Sequence, residues 1–398
     1  MRINWEVKFA RGGAGAIVSS FVPVSIRGRI MPNYATIDRD GRIPFWRELG
    51  RRVHEHGCRF IMQLSHAGRQ RDIGGIEFPK GLSSTDQPAP LHGFECERMT
   101  KKQIRQVVGE FASGARRARE AGLDGVELHA ANGYLFTHFL SSAINDRKDE
   151  YGGPIGNRAR FLLEVVAAIR AEAGRDFHLQ VKISAVDHHN ALAPFDPEGN
   201  SLEESTEVAK RLERAGVDAL HISTGSFFSH PRNPAGDMPV EAALSAFDTM
   251  ISSGTRELRN YLMLSTPIGA RLFRHSWIHA RGDRIEGINL EDARAIRAAV
   301  GIPVICTGGF QTASVIRQAI EGGGCDAVSI ARPLVANNDL VKLFEQGMDS
   351  PPRPCTYCNK CLVNVVEAPL GCYEESRFPS REAMIEQILS VFEPAPFR

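Results

Sequence analysis

Residues 124–164, DGVELHAANGYLFTHFLSSAINDRKDEYGGPIGNRARFLLE, decide how this chain is read. The stretch opens as a buried strand over 125–129, entered from a helix that ends at Gly122. His129, Asn132 and Tyr134 follow within six residues, just past the end of that strand, and a new helix begins near Asn157. In a parallel α/β protein the carboxyl end of a strand is where side chains meet a ligand. An imidazole and an amide able to hold a carbonyl, beside a phenol able to give a proton, form a catalytic kit. Any one of these residues alone reads more readily as packing under a loop. The three together point to chemistry.

Working outward, the entry into this strand is echoed elsewhere. AGLDGVELH (121–129), AGVDALHIS (215–223) and GGCDAVSIA (323–331) share one pattern, and GGAGAIVSS (12–20) is a weaker copy without the aspartate. Each follows a helix-like segment. The glycine ends the helix and the aspartate sits in the tight turn into a strand, which is how repeated βα units look. Strands are expected at 16–20, 59–64, 125–129, 178–184, 219–223, 304–307 and 327–331, mostly apolar without alternation, as strands buried on both faces are. Helices are expected at 46–56, at 101–121 behind a Thr100–Gln103 capping box, behind Ser201 with Glu204, behind Asn289, and at 311–321 and 340–345.

The pattern predicts an α/β fold of the TIM (β/α)8 type over residues 1–346, with seven strands readable. A closed barrel of this class needs eight. The chain opens in a helix, 5–11, that should follow a first strand, so the barrel is expected to be N-terminally incomplete. An open doubly wound sheet is the alternative. Residues of about 227–288 are too long for a bare connection and predict a helical insertion over the barrel mouth, as a cover or as a substrate lid. Residues 347–398 form a cysteine-rich extension.

Composition is that of a soluble globular protein, with 42% apolar and 24% charged residues among 398. A net charge of +1 gives no global field toward nucleic acid or an anionic membrane. The polar start, MRINWEVKFARGG, lacks the apolar core of a signal peptide, and no apolar run is long enough to span a bilayer. The expectation is a cytoplasmic protein with a small-molecule substrate and neither nucleic acid nor membrane as partner. A homo-oligomer or a separate electron-transfer partner is left open.

Two further features carry chemistry. Gly308-Gly309 after the sixth readable strand and Arg332 after the seventh suit a phosphate, through backbone N–H groups and a planar guanidinium fork. Cys355, Cys358, Cys361 and Cys372 have a strong ligand spacing, suited to an iron–sulfur cluster or to tetrahedral zinc. Cys306 and Cys325 read as core thiols.

At this point the residues carry a resemblance. HAANGYLFTHFLSSAINDRKDEYGGPIGNRARFLLEV resembles the signature of the Old Yellow Enzyme family of FMN-dependent NAD(P)H oxidoreductases, which includes the 2,4-dienoyl-CoA reductase-like barrels. QLSHAGRQ (63–70) is similar to that family's third-strand motif, and CTGGF with GCDAVSIARPLVANNDL (306–340) to its phosphate-binding end. The resemblance implies an eight-stranded barrel with FMN at its carboxyl mouth. It implies cofactor contacts from Ser20, Gln63, Lys182, Gly308, Gly309, Ala331 and Arg332. Ala331 stands where relatives usually have Gly, and Lys182 where many have Arg near the flavin's N1. A lysine inside a buried strand is costly unless paired, so its presence is informative in itself.

The implied reaction is reduction of an activated alkene, with NAD(P)H reducing the flavin first. His129 and Asn132 would hold the substrate carbonyl and Tyr134 would protonate the α carbon. Arg147, Asp149, Tyr151, Gly152, Gly153, Asn157 and Arg158 read as structural, with Asn157 as a helix cap. The resemblance places a 4Fe-4S cluster ahead of zinc on the four clustered cysteines. Relatives feed such a cluster from a further flavin and nicotinamide domain, and no GxGxxG fingerprint is present here. The cluster is therefore read as structural, fed by a partner, or lost. The family's first strand also contacts the flavin, so weak or absent FMN binding is expected of this chain. The competing readings are a flavin-free phosphate-binding lyase or isomerase, and a degenerate, non-catalytic barrel.

Overall fold

In the computed structural model, which describes residues 1–71, 78–250 and 254–393 (without the side chains of 247–250), the aspartates of the internal repeat show how each strand is entered. Asp124 accepts the backbone N–H of Phe60 at 2.7 Å, Asp218 that of Leu179 at 2.7 Å, and Asp326 that of Val304 at 2.8 Å. Each aspartate returns its own N–H to the carbonyl of the same residue. Arg59, Arg170 and Arg297 close the three clamps. The fourth copy, without an aspartate, keeps only a backbone bond, from Arg59 N to Gly15 O at 3.0 Å. Gly122 and Gly216 turn the preceding helices into these entries at φ of 75° and 85°, which favours glycine. Each clamp ties a new strand to the foot of the one before it and so fixes the register.

The strands are β1 (Ala16–Val18), β2 (Val22–Pro23), β3 (Arg59–Ser65), β4 (Gly81–Ser83), β5 (Cys96–Arg98), β6 (Gly125–Ala130), β7 (His178–Ser184), β8 (Ala219–Ser223), β9 (Val304–Thr307) and β10 (Ala327–Ser329). All seven predicted strands are present. They form one parallel sheet in the order β1-β3-β6-β7-β8-β9-β10, with β2 beside β3, while β4 and β5 pair separately. The sheet curls as part of a barrel, and among the described residues no pairing joins β10 to β1. Helices alternate with the strands as expected. None of them is long and apolar enough to cross a membrane, among the described residues.

Several local expectations change. β1 stops at Val18 because the Ser19 hydroxyl accepts the N–H of Gln63 and donates to the Ser20 carbonyl, turning the chain. Thr100 and Gln103 do form a capping box ahead of the helix Lys101–Glu120. Asn289 sits at a helix start, but its amide donates to Thr307 O at 2.8 Å and ties the helix to β9 instead of capping it. Asn157 caps nothing: its segment is a short helix, Ile155–Arg158, led by Pro154 and followed by the helix Arg160–Ala173. The insertion holds three helices, Val240–Met250, Glu257–Leu264 and Pro267–Arg281. Buried Trp277 fastens it through an indole N–H to Gly236 O, and buried Glu257 meets His92.

Under the central motif, Phe136 lies 4.9 Å from Phe111 and 5.1 Å from Phe161, and Phe139 lies 4.8 Å from Phe161. Full burial of each ring contributes roughly 1.5–3 kcal/mol. This cluster anchors the helix Leu135–Leu140, whose first residue follows Tyr134.

Candidate active site at the mouth of the sheet

Side chains alternate faces along a strand, so the pairing register decides which of them share the interior. It sets Gln63, Glu127 and Gln180 in one row, and His129, Lys182 and His221 in the row nearer the carboxyl ends. These residues come from four adjacent strands, so the topology alone gathers them.

His129, the penultimate residue of β6, has 7% exposure, and its Nδ1 has no hydrogen-bond partner. Burial, with Lys182 nearby, pushes its imidazole down to about 3, so the ring is neutral at pH 7. Tyr134 lies edge-on to it at 4.8 Å. Phe21, from the turn after β1, packs at 4.8 Å from Tyr134 and 6.1 Å from His129, and Tyr34 meets Phe21 at 5.6 Å. The sequence reading missed Phe21 and Tyr34, because an aromatic in a loop carries no periodic signal. His129 and Tyr134 are brought together as expected.

Asn132 is placed differently. It adopts a left-handed backbone with φ of 62°, a conformation that asparagine tolerates better than most residues. Its amide donates to Ser223 Oγ at 3.0 Å and Thr224 O at 2.7 Å. Both N–H groups are thus engaged in fastening the end of β6 to that of β8. In this structure Asn132 holds the turn, with neither amide N–H left for a carbonyl. Gln70, from QLSHAGRQ, joins that turn to a third loop by donating to Asn132 O and accepting from Phe228 N. The second half of the motif is structural, as read. Arg147, 5% exposed, bonds Asp149 and Met99 O, and Arg158, 3% exposed, bonds Gly153 O, Leu140 O, Asn200 and Glu204.

Gln63 is buried at the end of β3, its amide donating to Glu127 at 2.7 Å. Lys182 is half-buried on β7. Burial lowers its pKa and the Glu127 charge raises it. Ser20 is exposed, and its hydroxyl accepts from Arg2 at 2.6 Å, while its neighbour Ser19 does the buried bonding to β3. Glu127 was not singled out in the sequence, although a glutamate two residues before His129 in an otherwise apolar strand was a legible signal.

The phosphate end is built on β9 and β10. Gly309 has φ of 71°, and a Cβ there would lie 2.8 Å from Ile285 O, so the turn has no room for a side chain. Arg332 is 8% exposed, but its fork donates to Asn359 Oδ1 at 2.6 Å and Ala235 O at 2.7 Å, and it stacks over the Tyr357 ring at 5.4 Å. The expected phosphate clamp is therefore engaged in holding the C-terminal extension against the barrel. Ala331, at the start of the helix Arg332–Ala336, is exposed.

Cys355, Cys358, Cys361 and Cys372 line one small cavity of about 20 Å³ together with Arg332 and Arg377, which donates to Cys372 Sγ at 3.0 Å. Burial raises the Cys355, Cys358 and Cys361 thiols, Cys361 to about 12. Among the described residues no three His, Cys, Asp or Glu side chains are gathered closely enough for a single metal ion.

Comparison with known proteins places these residues in context. The family model described as NADH:flavin oxidoreductase / NADH oxidase matches residues 2–237, and one described as dihydrouridine synthase matches residues 270–386. An NADH oxidase of Thermoanaerobacter brockii is 29% identical over 388 residues, covering 94% of this chain and 52% of that protein. An NADH-dependent flavin oxidoreductase of Talaromyces variabilis is 31% identical over 355 residues, covering 84% and 75%. A solved complex of 2-naphthoyl-CoA reductase with 2-naphthoyl-CoA is 25% identical with a TM-score of 0.74, covering 93% of this chain and 51% of that one. The chain thus spans about half the length of several relatives it matches.

Proposed function

The chain belongs to the NADH:flavin oxidoreductase / NADH oxidase family, and from that membership we propose that it is an FMN-dependent NAD(P)H oxidoreductase reducing activated carbon–carbon double bonds of the enone or enoyl class. The observation that carries this reading is the register of β6 and β7, which sets His129, with its unpartnered Nδ1, beside half-buried Lys182 and edge-on to Tyr134. A lone buried imidazole nitrogen and a lysine opening into the mouth fit a flavin and a carbonyl substrate, and the side-chain-free turn at Gly309 fits the flavin's phosphate.

When bound, FMN would supply hydride, taken from NADH or NADPH and delivered to the β carbon of the alkene. Gln63 and Lys182 would hold the pyrimidine edge of the ring, with the lysine cation offsetting charge near N1 and O2. Neutral His129 would donate an N–H to the substrate carbonyl oxygen. The Tyr134 hydroxyl would give its proton to the α carbon. Phe21 would shield that transfer from water. With Arg332 engaged by Asn359 and Ala235, the phosphate would rest chiefly on the backbone of Gly308 and Gly309. The family resemblance puts a 4Fe-4S cluster ahead of zinc as what the four clustered thiols would hold. An electron-transfer partner would then reach the flavin from the extension.

A visible spectrum of the purified protein, before and after anaerobic NADH or NADPH, tests the reading. Flavin bands that bleach with either donor are expected once FMN is supplied, with about four iron atoms per chain by iron assay if the thiols hold a cluster. A colourless protein that oxidises neither donor defeats the flavin proposal.

A further inference from the structure

Glu127 is a fully buried acid that the reaction above does not use. Its carboxylate accepts from Gln63 Nε2 at 2.7 Å, Gln180 Nε2 at 2.5 Å and His221 Nδ1 at 2.8 Å. The chain of contacts continues beyond it. His221 Nε2 meets Ser329 Oγ at 2.7 Å, and Ser329 Oγ meets Thr307 Oγ1 at 2.8 Å. Five strands, β3, β6, β7, β8 and β10, are thereby joined through their inner faces to the last residue of β9, directly before the Gly308-Gly309 turn.

A carboxylate can only accept hydrogen bonds. Gln63 and Gln180 must therefore turn their NH2 groups toward it, which leaves the Gln63 amide oxygen for the mouth. His221 must carry a proton on Nδ1, which aims Nε2 at Ser329. One acid thus sets the orientation of two amides and an imidazole. It also faces Lys182. The titratable groups that face Lys182 from the adjoining strands are Glu127 and His129 on β6 and His221 on β8, while β3 offers the uncharged Gln63. Burial keeps both imidazoles neutral near pH 7, whereas His221, Lys182 and Gln63 outweigh burial to hold Glu127 ionised. Glu127 is the charge that raises the Lys182 pKa against its burial.

We propose that Glu127 is the positioning residue of the barrel mouth. It orients Gln63, sets its carboxylate on the interior face it shares with Lys182 and, through His221 and Ser329, ties the ring-facing strands to the phosphate turn. Its consequence for the cofactor rests on the flavin reading above, while its effect on Lys182 does not.

The test has two arms. In flavin-free protein, the pH dependence of reductive methylation at Lys182, followed by mass spectrometry, gives the midpoint at which that amine loses its proton. Glu127→Gln removes the charge that raises the Lys182 pKa, so the midpoint falls by about one pH unit or more. Glu127→Asp keeps the charge and holds the midpoint up. In the holoprotein, both variants weaken FMN binding about tenfold or more, because the amides lose their fixed partner. Ser329→Ala, at a half-buried position, weakens it a few-fold without moving Lys182, and remains informative if Glu127→Gln does not fold. An unchanged Lys182 midpoint in Glu127→Gln, with FMN still bound, overturns the positioning role and leaves the flavin reading intact. A shifted midpoint in a wild-type protein that takes up no FMN does the reverse. Unchanged FMN affinity in Ser329→Ala removes the link to the phosphate turn.

Discussion

β6 and β8 are buried along their whole length, whereas every residue of β10 is partly exposed. The two halves of the barrel mouth, the proposed ring side and the proposed phosphate side, differ accordingly. On the ring side, strands flanked on both edges gather polar groups inward, and Glu127, His221, Gln63 and Gln180 satisfy one another there. On the phosphate side, β10 has a neighbour on one edge only among the described residues, and its cation is answered from outside the barrel. Arg332 bonds Asn359 and the carbonyl of Ala235 and stacks on Tyr357, while Lys182 is left half-buried at the mouth. The ring side is thus prebuilt by the sheet. The phosphate side is a joint structure of sheet, insertion and cysteine-rich extension. Substitutions on the first should alter chemistry with the fold intact, and substitutions on the second should loosen structure first.

The largest effect expected on the ring side comes from Tyr134→Phe. It removes a proton donor while keeping the ring that packs on Phe21 and His129. Alkene reduction should slow by roughly 10²–10⁴-fold, with flavin reduction by NAD(P)H nearly unchanged. Stopped-flow measurement of the two half-reactions separates them, and equal slowing of both would remove the tyrosine from its role.

On the phosphate side, Arg332→Ala should cost about 3 kcal/mol, as two charge-assisted bonds and a stacked ring are lost from a buried site. Limited proteolysis should then cut first between Arg353 and Arg377, and any bound iron should be lost before FMN. If FMN is lost first, the arginine grips the phosphate after all and the contrast between the halves weakens.

The repeated clamps allow a like-for-like comparison of the same contrast. Asp124 has 18% side-chain exposure and accepts from Phe60, His54 and Arg59 at the foot of β3 and β6. Asp326 has 35% and accepts from Val304 and Arg297 beside the edge strand. Asp124→Ala should cost about 2 kcal/mol and Asp326→Ala about 1 kcal/mol in urea unfolding. Equal losses would mean that the edge is as tightly held as the centre.

Much of this contrast was legible before any coordinates. The glycine–aspartate repeat announced the βα units, because a turn into a buried strand needs a residue that bonds its own and a neighbouring backbone. Four of the seven strands followed from it, counting the weak copy, and the other three from apolar runs without alternation. The meeting of His129 and Tyr134 was legible because three polar groups fall within six residues of one strand terminus. What the sequence hid is pairwise. Whether Asn132 faces a ligand or Ser223 depends on a left-handed turn, and whether Arg332 grips a phosphate or Asn359 depends on where a distant tail returns. Glu127 was hidden for the opposite reason. A strand read as uniformly apolar invites the eye past its one acid, although a charge at that position needs partners to exist at all.

Acid should act on the two halves unequally, though more gently than the substitutions. His66 and His129, 2% and 7% exposed, are held down to about 3 by burial, aided by Arg27 and Arg71 for the first and by Lys182 for the second. Unfolded, each would titrate near ~6.5. Between those values the unfolded chain binds protons that the folded chain refuses, so stability falls as pH drops below about 6.5 and is flat above it. The slope reaches about 1.4 kcal/mol per pH unit for each ring. From residue 301 onward the sequence contains no histidine, so β9 and the extension carry no such load of their own, while β10 meets one buried imidazole, His221, at Ser329. Hydrogen exchange at pH 7, 6 and 5 should therefore show β3 and β6 losing protection as the pH falls, with β9 changing least, and His129→Asn should flatten part of the slope. Protection lost first in β9 would show that edge exposure, not buried histidine, sets the acid response.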